Sequence, residues 1–146
     1  MLRKVGAVIA GILVVGVVVA TLQMIGTRLH PLPEGVDPMD PADRDAFMRY
    51  LAGLPAAAWL IAFFAELLGA FVGALVTGRI SRDGHRVPSG VIICVALIGS
   101  VYNWVSFPHP VWFMVGQVVA YPFVLLLVWR LLEARRPVVA AQPASG

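Results

Sequence analysis

Residues 62–79 read AFFAELLGAFVGALVTGR, a run of apolar and small residues with one glutamate, Glu66, inside it. A run like this can cross a hydrocarbon core as a helix, which takes roughly 20 residues. At 100° per residue Glu66 shares one helical stripe with Ala62, Gly69, Ala70, Gly73 and Thr77. Nearly all of these are small, and Gly69-x-x-x-Gly73 lets a second backbone approach closely. Glu66 is therefore expected on the packed face, partnered or protonated, because an unpaired charge at that depth costs at least ~3 kcal/mol.

The rest of the chain repeats the pattern. Of 146 residues, 60% are hydrophobic and 13% charged, against about a quarter charged in ordinary soluble domains. Mean hydropathy is +0.86, and the apolar residues fall in four blocks, at about 5–25, 56–78, 91–107 and 111–132. None alternates polar with apolar as barrel strands do. The expected fold is all-α, an integral-membrane four-helix bundle forming one domain over residues 1–136. The third span, being short, is expected to stand nearly upright. The tail, 137–146, is expected to be disordered and cytoplasmic.

Lys and Arg set the orientation. Arg3, Lys4, Arg79, Arg82, Arg86, Arg130, Arg135 and Arg136 lie on one side. The other side has Arg28, Arg44 and Arg49, diluted by five acids from Glu34 to Asp45. The positive-inside rule places both termini in the cytoplasm, in the inner (plasma) membrane. The N-terminal run up to Ala20 would also pass for a cleavable signal peptide. It continues to Ile25, long enough for a span, so a retained first helix is expected.

The sizeable outer loop, HPLPEGVDPMDPADRD, starts extended because its prolines bias each preceding residue away from helix. From Asp40 the signals change. Asp40 can cap, Pro41 suits the first helical position, and Asp43 occupies the capping-box site. A short amphipathic helix at about 41–52 is expected, with Phe47, Leu51 and Leu54 on one face. The four acids of DPMDPADRD lack the glycine and glutamate positions of an EF-hand, so they read as capping and solvation. The Asp83–Gly84 turn and the FPHP stretch make the other connections short.

Candidate partners for Glu66 descend from the outer rim. Glu66 and Tyr121 fall about 15 and 16 Å below the outer ends of their helices, Gln117 about 10 Å, and Gln23 and Asn103 about 6 Å. His30 and His109 sit at the rim. Gly16, Ala20 and Thr27 share a stripe with Gln23, and Ala96, Gly99, Ser100 and Ser106 share one with Asn103. Pro122 is expected to kink the fourth helix and free the Val118 carbonyl beside Tyr121. The expected site is a polar pocket open to the outer face and ending at Glu66.

Several classes are excluded. The single cysteine, Cys94, allows no intrachain disulfide, CxxC redox pair or thiolate zinc site, which removes the four-helix quinone-linked disulfide-forming enzymes. Cys94 reads as packing. Ligand bonds of ~2 Å cannot join His30 and His109 to a glutamate so far below, so no metal is expected. Nothing resembles a nucleic-acid stripe. No Ser–His–Asp arrangement, phosphate loop or HExxH occurs, so neither an enzyme nor a cofactor is expected. Trp59, Trp104 and Trp112 read as outer interfacial anchors and Trp129 as an inner one.

With its HPLPEGVDPMDP loop and the HPVWF element at 109–113, the chain resembles small, uncharacterised four-helix inner-membrane proteins of bacteria. The resemblance implies the architecture and no mechanism. The expected role is structural or partner- and lipid-binding, within the bilayer and with a homo-oligomer or another membrane protein as partner. The alternative is a transporter or channel subunit in which Glu66 handles a proton or cation.

Overall fold

The computed structural model describes residues 2–81 and 84–134. Four long helices dominate: α1 (Leu2–Leu29), α3 (Ala56–Ser81), α4 (Arg86–Ser106) and α5 (Val111–Ala134). All four are long and apolar enough to cross a membrane, and the chain is a small multi-pass, all-α protein. A short helix, α2 (Arg44–Ala52), precedes α3. We call the end carrying α2 the loop face and the opposite end the terminal face.

The helices overrun the apolar blocks. Backbone hydrogen bonding continues into flanking residues whose long charged side chains can reach water. The third span is thus 21 residues and starts at Arg86, with Pro88 tolerated in its first turn. The tail at 137–146, Asp83, and the basic residues Arg82, Arg135 and Arg136 lie outside the described residues. Gly84 has a φ of 70°, a left-handed turn geometry that favours glycine.

α3 is the central helix. It packs against α1, α4 and α5, whereas α1 and α5 do not meet among the described residues. Its small stripe is the reason. Gly69, Ala70, Gly73, Ala74 and Thr77 are all buried. A Cβ on Gly73 would come 2.8 Å from the Gly11 carbonyl oxygen, and one on Gly69 would come 3.3 Å from that of Val15. Thr77 Oγ1 then donates to the Ala7 carbonyl at 3.1 Å, and the Arg3 guanidinium donates to the Ser81 carbonyl at 2.8 Å. The face of α1 that packs on α3 is thus Ala7, Gly11, Val15 and Val19. The Gly16–Gln23 stripe faces elsewhere.

In the terminal half, Ala70, Ala74, Ile92, Ile93, Tyr121 and Val128 form the core. Arg86 ties α4 to Glu133 of α5 and lies 5.4 Å over the Trp129 ring. Trp129 in turn donates to Ser89 Oγ at 3.1 Å. The ring is therefore held within the bundle by both contacts. Cys94, expected in the packing, is exposed on the bundle surface.

The loop segment begins with a 3-10 turn, Pro41–Asp43, which passes into α2. Asp40 caps as expected, accepting from the Ala42 N–H at 2.8 Å. Asp43 does not close a capping box. Its carboxylate accepts from the Asp37 N–H at 2.8 Å instead, because the Asp40 N–H already donates to the Asp37 carbonyl. α2 is pinned by side chains: Phe47 packs edge-on to Phe107 at 5.8 Å, and the Tyr50 hydroxyl donates to the His30 carbonyl at 2.6 Å. Burial pushes the Tyr50 phenol above its ordinary pKa, so it remains a neutral donor at physiological pH.

Candidate functional site

Three helices deliver one hydrogen-bonded network. Glu66, from α3, accepts at Oε2 from Ser100 Oγ of α4 at 2.7 Å and from Gln117 Nε2 of α5 at 2.9 Å. Ser100 Oγ also lies 2.8 Å from the Tyr121 hydroxyl. Serine has one proton; when it goes to Glu66, Tyr121 must be the donor to Ser100. Gln117 Oε1 accepts from Trp104 Nε1 at 3.2 Å, so both ends of its amide are fixed. Ser100, Gln117 and Tyr121 are buried, at 3%, 0% and 1% exposure. These three immobilise Oε2. Oε1 makes no hydrogen bond among the described residues.

Two cavities meet at this carboxyl group. The first is a vestibule of about 320 Å³ opening at the loop face, walled by α2 through Phe47 and Tyr50 and reaching Glu66 past Trp59 and Asn103. The second is a groove of about 380 Å³ between α1 and α4, from Ile12 and Ile92 up to Gln23, Asn103 and Glu66. Gln23, Asn103 and Glu66 line both. Gly16 and Gly99 lie in the groove, exposed, with nothing within 4 Å of where a Cβ would sit.

Every residue of the expected pocket is near it, in altered roles. Gln117 contacts Glu66 directly, while Tyr121 reaches it through Ser100. Gln23 and Asn103 line the cavities, and their side-chain amides make no hydrogen bond among the described residues. His30 and His109 line the vestibule; His109 Nδ1 is 2.9 Å from the Phe107 carbonyl, and its ring stacks 4.9 Å from Trp59. Gly69 and Gly73 pack against α1.

Some expectations are corrected. The carboxyl group is reached from the side of the bundle as well as from the loop face. α5 continues as one helix through Pro122; Pro122 and Val118 are both exposed, and the hydrogen bonds of the network do not involve the Val118 carbonyl. Trp59 is no interfacial anchor: it is 7% exposed and packs against His109 and Phe113. Trp104 is a donor to the network. Of the residues in the hydrogen-bonded network, Ser100 and Trp104 lie outside the expected pocket. Ser100 stood on the Asn103 stripe, so its helical phase was available; a tryptophan near a helix end reads equally as an anchor. No protein-family model matches the chain, nor does any curated protein or solved structure.

Proposed function

We propose that this protein is an inner-membrane binding protein, with both termini in the cytoplasm, whose vestibule receives the polar end of a ligand or membrane partner at Glu66. The carrying observation is the asymmetry of the carboxyl group: Oε2 takes both hydrogen bonds, Oε1 takes none among the described residues, and Glu66 lines two cavities. A polar clamp that only fixed helix register would need no space beside it. The orientation rests on the basic residues of the terminal face, among them Arg3, Lys4, Arg79, Arg86 and Arg130. The resemblance to small four-helix bacterial membrane proteins agrees with this setting.

A transport role for Glu66 draws support from its contact with two separate cavities. Against it stands the packed terminal half, where Ala70, Ala74, Thr77 and Val128 are each 0% exposed. A continuous path needs polar or open space there.

Native mass spectrometry of protein taken directly from bilayer nanodiscs tests the binding role. Wild type should carry a ligand adduct that Glu66→Gln loses, with melting temperatures within a few degrees. Absence of an adduct from wild type would count against the reading. Proton or cation flux in liposomes that Glu66→Gln abolishes would favour transport.

A further inference from the structure

We infer that the occupant of this site is a single-tailed amphipathic cation, its positive head at Glu66 and its apolar tail in the groove between α1 and α4. The inference rests on the binding role proposed above and names the ligand class.

Charge comes first. Among the described residues Glu66 is the only Asp, Glu, Lys or Arg in the walls of either cavity, with His30 and His109 in the vestibule beside it. No described Lys or Arg forms an ion pair with it; Arg86 pairs instead with Glu133, at the terminal face. Ser100 and Gln117 both donate to Oε2 and hold the carboxyl group in place. A carboxyl group that lines two cavities and has no cationic partner among the described residues is matched by a ligand that brings the positive charge. The phosphate of a common bilayer lipid would be repelled there.

Shape comes second. Ile12, Val15, Val19, Ile92 and Val95 make the groove walls apolar, and Gly16 and Gly99 widen it. From Ile12 to Gln23 it follows α1 for about 16 Å. It lies along the bundle side, where a tail can enter from the bilayer without crossing the vestibule. The head then reaches the junction at Gln23, Asn103 and Glu66.

The test uses the full chain in zwitterionic nanodiscs, with dodecyltrimethylammonium, its butyl analogue and uncharged dodecyl maltoside as probes. Binding is read from tryptophan emission, since Trp59 and Trp104 flank the site. Wild type should bind the dodecyl cation saturably and at least about tenfold more tightly than the maltoside, and Glu66→Gln should erase that tenfold preference. Gly16→Leu, filling the groove from an open position, should remove the advantage of the dodecyl over the butyl cation. It does so whether or not Glu66→Gln folds. Equal, Glu66-independent binding of cation and maltoside would overturn the cation inference and leave the binding role standing. A Gly16→Leu protein that keeps the full chain-length advantage would overturn the tail's place. No saturable binding of any probe by wild type would overturn both readings.

Discussion

The two flanks of α1 use the same residue type for opposite ends. Toward α3, Gly11, Gly69 and Gly73 remove side chains so that two backbones can touch. Toward α4, Gly16 and Gly99 remove side chains and nothing moves in. Water offers no hydrophobic drive between helices inside a bilayer, so close packing must come from shape. One flank is therefore a seam and the other an opening. A glycine in a membrane helix is not by itself evidence of contact; the atoms opposite decide.

Substitutions can break or sharpen that contrast. Gly73→Val should have the largest effect, because its Cβ meets the Gly11 backbone at 2.8 Å, and backbone cannot swing aside. A loss of about 3 kcal/mol is expected in a reversible detergent-unfolding titration. Trp104→Phe should come next. It strands the buried Gln117 Oε1, at a cost of about 1 kcal/mol by the same titration. Thr77→Val keeps the seam's shape but loses the donor to Ala7, so about 0.6 kcal/mol is expected. Gly16→Ala should change stability by less than about 0.5 kcal/mol, since no atom lies near its Cβ. Near-equal losses at Gly16 and Gly73 would erase the distinction between the flanks.

The parts of this fold legible in the sequence are those with a strong local signal. Four apolar blocks give four helices, and the stripe through Gly69, Gly73 and Thr77 gives the packed face of α3. The Asp40 cap was equally local. Less legible was the face of α1. That helix is apolar nearly all round, so its one polar stripe, through Gln23, is conspicuous while the Ala7, Gly11, Val15 and Val19 face carries the contact. The lateral groove was hidden for the same reason: an empty space between two helices depends on how far apart they stand. Distance along one helix predicted that Glu66 and Tyr121 share a level, but not that Ser100 would stand between them.

The contact between α1 and α3 also bears on maturation of the chain. A protease cutting after Ala20 would remove the Ala7 carbonyl, the Gly11 backbone and the Val15 and Val19 side chains together. Thr77 would lose its acceptor, and the glycine face of α3 would be bared to lipid along with one wall of the groove. The first twenty residues supply a whole wall of the bundle, and a trimmed chain would need a borrowed helix to take their place.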